Sequence, residues 1–281
     1  MTAVSERDDA AQRRTKDRSD RRRAPRSGPR AAVGDALLIA GRNITVLRRL
    51  PQLLILATVQ PVLFVLMFRY VFGGAIEVPN GSYVNYLMPG IFAQTVAFGA
   101  ITTGVGLAED LGRGLIDRFR TLPKARSAVL AGRTMADLLR NVFVVVLMVV
   151  VGVAVGFRVE TSWFNLLPAL LLLLLFGFAL SWVFALIGLS VANAESAQTA
   201  SFSILFPLVF ASSAFVPVES MPGWLQAFAE HQPVTAVIDA VRALVLGGPT
   251  LSLVLTSIAW SLAILVVAAP LAVRKYRSTT D

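Results

Sequence analysis

The sequence predicts an all-α integral membrane protein with six transmembrane helices, and three observations support this fold class. First, the 281-residue chain is 56% hydrophobic and only 15% charged, whereas soluble domains carry about 25% charged residues. Second, six apolar segments reach roughly the 20 residues that a helix needs to cross a bilayer. Third, nearly all Lys and Arg residues fall on one side of the predicted membrane.

The predicted spans together form one transmembrane domain over residues 33–275. They cover residues 51–72, 87–108, 138–157, 166–192, 198–217 and 251–273. Pro61, Pro168 and Pro207 lie inside these segments. Transmembrane helices tolerate such prolines because neighbouring groups satisfy the backbone atoms that the proline leaves unpaired.

The residues before the first span divide into a tail and a helix. Residues 1–32 are rich in Arg, Asp, Ser and Pro and have almost no apolar content, so we expect a disordered basic tail. Leu37, Leu38, Ile44 and Leu47 then recur at near-helical spacing, which predicts an amphipathic helix on the membrane surface. The basic tail is expected to meet membrane lipid and not nucleic acid, because no nucleic-acid recognition motif accompanies its charge.

The distribution of Lys and Arg predicts the orientation. If the N-terminus is inside, 23 of the 26 Lys and Arg residues lie on the same side, in residues 1–49, in residues 109–140 and near the C-terminus. The other side carries only Arg69, Arg158 and Arg242. Because positively charged loops stay in the cytoplasm, both termini, including the short tail 276–281, are predicted to be cytoplasmic. The chain is then a multi-pass protein of the cell membrane.

The segment between the second and third predicted spans has the pattern of an amphipathic helix. Its apolar residues recur at helical spacing, namely Leu111, Leu115, Phe119 and Leu122. Opposite charges stand three or four residues apart around this stripe, in the pairs Asp110–Arg113, Arg113–Asp117 and Asp117–Arg120. Pro123 then ends the helix. Such a helix either merely connects two spans at the interface or docks a cytoplasmic partner, and the residues alone leave both readings open.

Two further connections carry candidate contacts. The stretch "ANAESAQTAS", with Glu195 as its only charge, is predicted to be a tight cytoplasmic turn or a second partner contact.

On the outer side, the sequence of residues 215–248 predicts two short helices. The first places Trp224 and its apolar neighbours on one side, and the second starts at Pro233 and ends at Gly247–Gly248. Being too short to span, the second helix should lie in the outer interface or re-enter the membrane.

Several classes of chemistry are disfavoured. The chain has no cysteine and a single histidine, His231, so Cys-ligated and His-cluster metal sites are excluded. No G-x-x-x-x-G-K-[ST] phosphate loop occurs in the sequence. The predicted spans contain almost no ionisable residues, which ion-coupled transporters usually need. We therefore expect no enzyme activity and no bound cofactor or metal, and a self-contained secondary transporter is a weaker alternative.

Three features together resemble a known family. The segment "DLGRGLIDRFRTLPKARSAVLAGR", the segment "FVPVESMPGWLQAFAEHQPVTAVIDAVRALVLGG", and the layout of an amphipathic helix followed by six spans resemble ABC type-2 exporter permeases. The nearest resemblance is to the daunorubicin/doxorubicin-resistance permeases of actinobacteria, over about residues 34–275. It implies a permease that pairs with itself or a sister permease and with two cytoplasmic ATP-binding-cassette subunits, which use ATP and Mg.

The resemblance also implies site residues. An ATPase-coupling helix would contain Glu109, Asp110, Leu111, Arg113, Leu115, Asp117, Arg118, Phe119 and Arg120. Glu195 would lie near a secondary cytoplasmic contact. An outer gate would contain Pro217, Pro222, Trp224, Pro233, Asp239 and Arg242. From spacing alone, Asp239 and Arg242 form either a local ion pair or a substrate site.

The implied function is ATP-driven export of a hydrophobic or amphipathic compound, such as a drug, an antibiotic or a lipid. Export of a polysaccharide or lipid-linked glycan is the alternative within the same family. The apolar spans, rich in Leu, Val and Phe, favour the first of these substrate classes.

Overall fold

The structure, a computed structural model, describes residues 51–76, 78, 82–112 and 126–280, and every regular element in these ranges is helical. The predicted tail and surface helix before residue 51 lie outside the described residues. The helices are α1 (Pro51–Met67, continued by a π-helical turn at Phe68–Phe72), α2 (Tyr83–Gly112), α3 (Arg126–Val155), α4 (Leu166–Gly188), α5 (Ala194–Phe210), α6 (Gly223–His231), α7 (Pro233–Leu246) and α8 (Thr250–Thr280).

Helices α2 and α4 form the central pair of the bundle. Helices α1, α3 and α5 pack against α2, whereas α8 packs against α4 and α7. Buried apolar residues follow α2 from Tyr83 to Ala108. The ring of Phe92 packs edge-on to Phe157 at 5.8 Å between centroids. The core therefore lies along α2, and the other helices surround it.

Two glycines let the backbones of α2 and α4 touch. A Cβ atom added at Gly104 would lie 2.2 Å from the carbonyl oxygen of Phe184, and one added at Gly188 would lie 2.1 Å from the carbonyl oxygen of Gly104. No other residue fits without moving a helix. Small residues at such crossings are typical of membrane helices, where close van der Waals packing drives association.

Three helical segments are long and apolar enough to cross a membrane. They are Tyr83–Gly112, Trp163–Gly188 and Thr250–Tyr276, with mean hydropathies of 1.5, 2.7 and 2.3. Thr58–Phe72 and Arg140–Val155 are shorter apolar helices. The most apolar part of Thr250–Tyr276 is only 17% buried within the chain, so its remaining surface suits a lipid environment. The prediction of six spans is thus confirmed for three segments and stays a prediction for the others.

Helix α5 differs most from its predicted position. It begins at Ala194 and ends at Phe210, whereas the sequence placed a span over 198–217 and a turn at "ANAESAQTAS". The turn prediction was wrong because Asn193 caps the helix: its side-chain oxygen accepts a hydrogen bond from the backbone N–H of Ser196 at 2.8 Å. At the other end, the Ser212 hydroxyl bonds to the Val209 carbonyl, a local bond that competes with further helix.

The boundaries of the other predicted spans also shift. Helix α2 extends beyond both ends of 87–108, α3 begins twelve residues before 138, and α4 stops four residues before 192. The run of apolar residues in the sequence marks only the part of a helix whose side chains are apolar. The helical backbone of α2 and α3 continues into polar sequence, where its hydrogen bonds remain satisfied within the helix.

The two predicted short helices of residues 215–248 are present as α6 and α7. Pro233 starts α7, and Gly247 ends it with a φ of 99° that favours glycine. Nine of the 14 residues of α7 are buried, in contact with α2, α4 and α8. Helix α7 is therefore a packed member of the bundle, while Trp224 on α6 is 76% exposed.

We expect Gly104→Ala to destabilise the protein by about 1–3 kcal/mol, because the new methyl group overpacks a backbone contact. Thermal unfolding of the purified protein in detergent measures this change. Gly112→Ala is the matched control, since a Cβ there meets nothing within 4 Å. Equal unfolding temperatures for Gly104→Ala and the wild type would contradict the close α2–α4 crossing.

Candidate functional site

Two polar sites occupy opposite halves of the bundle. One is a cavity between α1, α2, α3 and α5, here called the inner cavity because it lies in the half that is predicted to face the cytoplasm. The other, here called the outer cluster, joins the start of α2, the segment 211–217 and α7.

The inner cavity has a volume of about 560 Å³, within the range of small-molecule sites. Both apolar and polar side chains line its wall. The apolar part includes Phe98, Val105, Val144 and Phe202, and the polar part includes Gln60, Gln94, Thr95, Thr102, Glu109, Arg140, Asn141 and Gln198. The rings of Phe98 and Phe202 approach to 5.2 Å between centroids. Such a wall suits a ligand that is mostly apolar and carries several polar groups.

Arg140 connects α3 to α2 at the edge of the inner cavity. Its guanidinium donates to the Gly99 carbonyl oxygen at 2.7 Å and to the Thr102 hydroxyl. Thr102 also donates to the same Gly99 carbonyl at 2.8 Å. The sequence reasoning counted Arg140 only as a charge near a span. Its role in holding two helices together depends on residues about 40 positions earlier in the chain, and no local pattern signals it.

The described part of the predicted coupling helix belongs to α2. Glu109, Asp110 and Leu111 lie in the last turns of α2, so this part of the predicted coupling helix continues directly from the preceding helix. Leu111 packs against the apolar cluster that contains Leu107 and Tyr276. The remaining predicted coupling residues, Arg113, Leu115, Asp117, Arg118, Phe119 and Arg120, lie outside the described residues. Glu195 is exposed in the first turn of α5.

The outer cluster is organised by Arg242 on α7. Its guanidinium pairs with the Asp239 carboxylate at 2.7 Å, donates to the Ser213 carbonyl at 2.7 Å and to the Tyr86 carbonyl at 3.3 Å, and lies 3.8 Å from the centroid of the Tyr86 ring. A guanidinium above an aromatic face gains cation–π energy in addition to its hydrogen bonds. One side chain thus connects α7, α2 and the segment 211–217.

One carboxylate oxygen of Asp239 accepts two hydrogen bonds. The Ser213 hydroxyl donates to the same Oδ1 atom at 2.7 Å that Arg242 contacts. Burial raises the pKa of the Asp239 carboxyl above its ordinary value, while Arg242 and the Ser213 hydroxyl oppose this rise. The predicted i+3 ion pair is therefore present, and it forms part of a larger network that the sequence reasoning missed.

Further hydrogen bonds fix the segment 211–217 around this pair. The Tyr83 hydroxyl donates to the Phe215 carbonyl at 2.9 Å, and the Tyr86 hydroxyl donates to the Ser213 carbonyl at 3.1 Å. The Gln232 amide donates to the Leu208 and Ala211 carbonyls at 2.8 and 2.6 Å, which satisfies the end of α5. These partners are more than 20 residues apart in sequence, so their spacing carries no local signal.

The other predicted gate residues are not gathered at this network. Pro217 precedes the short helical turn Val218–Ser220, Pro222 precedes α6, and Pro233 begins α7. These prolines shape the backbone by fixing φ where a helix starts. Trp224 is exposed on α6. Of the predicted gate set, only Asp239 and Arg242 lie together in the outer cluster.

Four phenylalanines from α1, α5 and the segment 211–217 pack against one another. The ring of Phe215 stacks on Phe68 at 4.4 Å and approaches Phe210 at 5.0 Å. Phe64 of α1 meets Phe210 of α5 edge-on at 6.1 Å. This aromatic cluster (Phe64, Phe68, Phe210 and Phe215) joins α1 to the end of α5 and to the segment 211–217.

Comparison with known proteins decides the family. Residues 36–246 match the family model described as ABC-2 type transporter. The chain belongs to the ABC-2 type transporter family. This ABC-2 chain is accordingly a multi-pass protein of the cell membrane. In the part of the chain that the structure describes, no group of three or more His, Cys, Asp or Glu side chains is arranged to hold a metal ion.

The relatives of this ABC-2 chain include drug-resistance permeases. It is 36% identical to the daunorubicin resistance ABC transporter permease protein of Streptomyces coeruleorubidus, covering 88% of this chain and 87% of that protein. It is 30% identical to a probable doxorubicin resistance ABC transporter permease protein of Mycobacterium tuberculosis, covering 89% and 91%. A putative transport permease of Cyanophora paradoxa is 24% identical over 75% of this chain. The family resemblance derived from the sequence is thereby confirmed.

We expect Arg242→Met to destabilise this ABC-2 chain by about 1–3 kcal/mol, because it leaves the Asp239 carboxylate and the Ser213 carbonyl without their charged donor. The double variant Arg242→Met/Asp239→Asn should recover part of the loss, since no unpaired charge remains. Thermal unfolding measures both variants, and Arg158→Met, an exposed arginine of the same half, is the control. A loss no larger than that of Arg158→Met would contradict the organising role of Arg242.

Proposed function

We propose that this ABC-2 chain is the membrane permease of an ATP-driven exporter that moves a hydrophobic or amphipathic compound, such as a drug or a lipid, out of the cell. The proposal rests on the volume and the lining of the inner cavity. This cavity has the volume of a small-molecule site and a mixed aromatic and polar wall. The drug-resistance permeases among its relatives support the same substrate class.

The energy for this export would come from a separate subunit. The sequence contains no phosphate loop of its own, and its relatives are permease proteins of ABC transporters. We infer that two cytoplasmic ATP-binding-cassette subunits, using ATP and Mg, drive the permease. They would dock on the region that begins at Glu109 and continues to Leu122, with Glu195 at a secondary contact. This region directly follows the wall of the inner cavity along α2.

A second permease, either another copy or a sister chain, would complete the path. Apolar side chains on α1 and α5 remain exposed in the single chain: Leu63 is 58%, Phe206 51% and Ile204 48% exposed. These two helices also contribute to the wall of the inner cavity. A partner permease on this side would enclose the cavity, with membrane lipid covering the remaining apolar surface.

The outer gate of the proposed path would be closed in this conformation. The ring of Phe215 stacks on Phe68 of α1, and Arg242 ties α7 to α2 and to the segment 211–217. Opening would require the Phe215 ring to leave Phe68 and the hydrogen bonds of Arg242 to break. The turns shaped by Pro217, Pro222 and Pro233, with Trp224 on α6, would let the outer helices move as a unit.

Vesicle transport tests the proposal as a whole. Inverted membrane vesicles that contain the chain and its ATP-binding partner should accumulate daunorubicin when ATP is supplied. Accumulation should stop when the phosphate-loop lysine of the partner is replaced. Gradient-driven flux that continues after this replacement would identify a secondary transporter instead.

We expect the substitutions Asp117→Lys and Arg120→Glu to weaken the complex with the ATP-binding subunit, because each reverses a charge in the proposed docking region. Recovery of the partner by affinity purification should fall about tenfold, which corresponds to 1.4 kcal/mol. Arg158→Glu, a charge reversal in the opposite half of the bundle, is the control. Unchanged recovery in both docking variants would contradict the assignment.

The orientation is testable because the chain has no native cysteine. Ser220 and Ser278 are exposed at opposite ends of the bundle. A membrane-impermeant maleimide added to intact cells should label Ser220→Cys and leave Ser278→Cys unlabelled. Permeabilised cells should label both. The reverse pattern in intact cells would overturn the orientation in which both termini are cytoplasmic.

A further inference from the structure

Arg69, near the end of α1, carries a guanidinium group that has no acceptor among the described residues. The residue is half-buried, and it forms neither a hydrogen bond nor an ion pair with any of them. A guanidinium offers five N–H donors and stays charged in proteins. Arg242, the other half-buried arginine of the predicted outer half, is paired with Asp239 at 2.7 Å. A charge that is removed from water normally has a partner, so Arg69 requires an explanation.

The Arg69 guanidinium is held against the loop between α3 and α4. A Cβ atom added at Gly156 would lie 3.0 Å from the Arg69 Nη1 atom and 3.8 Å from its Cζ atom. Gly156 also has a φ of 106°, which favours glycine. On another side, the Arg69 Cζ atom lies 5.3 Å from the centroid of the Tyr70 ring. The glycine thus lets the loop backbone approach the guanidinium closely.

A second arginine lies within reach of the same place. Arg158 follows Gly156 by two residues, and two peptide units span at most about 7.6 Å. Its side chain is exposed and, like that of Arg69, has no ion pair with a described residue. The carboxylate of Glu160 instead accepts a hydrogen bond from the Asn85 amide at 2.7 Å. The Asn85 Oδ1 atom accepts from the backbone N–H of Arg158 at 2.9 Å, which fixes the loop on α2.

The two arginines lie where the surface of the bilayer is expected. The apolar helix Thr58–Phe72 ends three residues after Arg69, and the apolar segment that continues into α4 begins at Trp163. Tyr70 and Trp163 are both exposed, and Tyr and Trp are enriched at the headgroup level of a membrane. Long cationic side chains near helix ends reach this level. The guanidinium groups therefore lie among lipid headgroups.

Exposed apolar side chains continue from this place toward the middle of the membrane. Helices α1 and α3 pack against each other, and Leu66 of α1 and Val146 and Val150 of α3 are exposed. The surface proposed for the partner permease is formed by α1 and α5, so the α3 side of α1 is left to lipid. Acyl chains favour contact with such an apolar surface, whereas water and free anions do not. Positive charge next to apolar surface matches a phospholipid.

We propose that Arg69 and Arg158 bind the phosphate group of a phospholipid in the leaflet that is predicted to face outward. The two guanidinium groups donate to the phosphate oxygens, in hydrogen bonds that charge makes stronger than those between neutral groups. The acyl chains lie against α1 and α3. The lipid supplies the partner that Arg69 lacks and joins the end of α1 to the loop between α3 and α4. This inference goes beyond the proposed export function and does not depend on it.

Three probes test the site on the full-length protein, purified in detergent and freed of lipid. Dioleoylphosphatidylglycerol carries phosphate and acyl chains, dioleoylglycerol carries the same chains without phosphate, and inorganic phosphate carries no chains. Thermal stabilisation by each probe and native mass spectrometry of the complexes measure binding. The wild type should bind the phospholipid at least about tenfold more tightly than either of the other probes, since only the phospholipid offers both contacts.

The variants Arg69→Gln and Arg158→Gln test each guanidinium separately. Each should weaken phospholipid binding about three- to tenfold, and Arg69→Lys, which keeps the charge, should weaken it less than Arg69→Gln. Without added lipid, both glutamine variants should unfold at the wild-type temperature or higher, because neither arginine has an ion pair to lose. An arginine that only held helices together would lower that temperature. Since Arg158 is exposed, its variant gives a result even where Arg69→Gln fails to fold.

The basic tail supplies the matched control, because its arginines can also attract anionic lipid. The triple variant Arg21→Gln/Arg22→Gln/Arg23→Gln removes three of these charges and should keep the stabilisation by dioleoylphosphatidylglycerol. A loss in this variant as large as that in Arg69→Gln would assign the effect to the tail and overturn the inference.

Three other results would also overturn the inference. Equal phospholipid affinity in the wild type and in both glutamine variants would leave water as the partner of Arg69. Equal binding of dioleoylglycerol would remove the requirement for phosphate, and equal binding of inorganic phosphate would identify a site for free anions in place of lipid. ATP-dependent daunorubicin accumulation in vesicles tests the export function separately from all of these measurements.

Discussion

The direct contact between the backbones of α2 and α4 is the constraint on which the rest of the structure depends. Where Gly104 faces Phe184 and Gly188, no Cβ atom separates the two helices. In an apolar solvent the hydrophobic effect does not drive helices together, so close packing of this kind supplies the attraction. Helix α2 is thereby held at the centre of the bundle, and both polar sites are built partly from its residues.

Helix α2 provides a physical connection between the two sites. Near its start, the ring and hydroxyl of Tyr86 belong to the outer cluster. Gln94 lies on the wall of the inner cavity, and Glu109 lies at the far edge of the same cavity. In the proposed transport cycle, a force applied beyond Gly112 would reach the cavity and the outer cluster through one continuous helix. The glycine crossing makes α4 the support against which such a movement occurs.

Hydrogen bonds hold the segment 211–217 in place within the outer cluster. The Asp239 carboxylate, the Ser213 carbonyl and the Ala211 carbonyl at the end of α5 all have donors. The same cluster also contains two buried atoms without a partner among the described residues, Arg242 Nε and Gln232 Oε1, as the inner cavity does at Gln94 Oε1. The network therefore favours one arrangement of this segment through the groups that are paired.

Sequence reasoning succeeded where a local pattern had one physical meaning. Pro233 and Gly247 marked the ends of α7 because proline and glycine each have a distinct backbone preference. It failed at "ANAESAQTAS", where small polar residues suit a turn and a capped helix equally well. Nor did helical spacing reveal that Leu111 belongs to a helix that continues from the preceding span.

The sequence by itself determined the membrane environment, the helical class and the family, because these depend on composition, apolar segment length and motif order along the chain. It also supplied the Asp239–Arg242 pair, whose partners are three residues apart. Only the tertiary structure decided that Arg242 reaches Tyr86 and Ser213, and that Gln94 and Asn141 meet the same cavity. These contacts join residues about 30 to 160 positions apart, and packing of the helices, not spacing along them, brings such residues together.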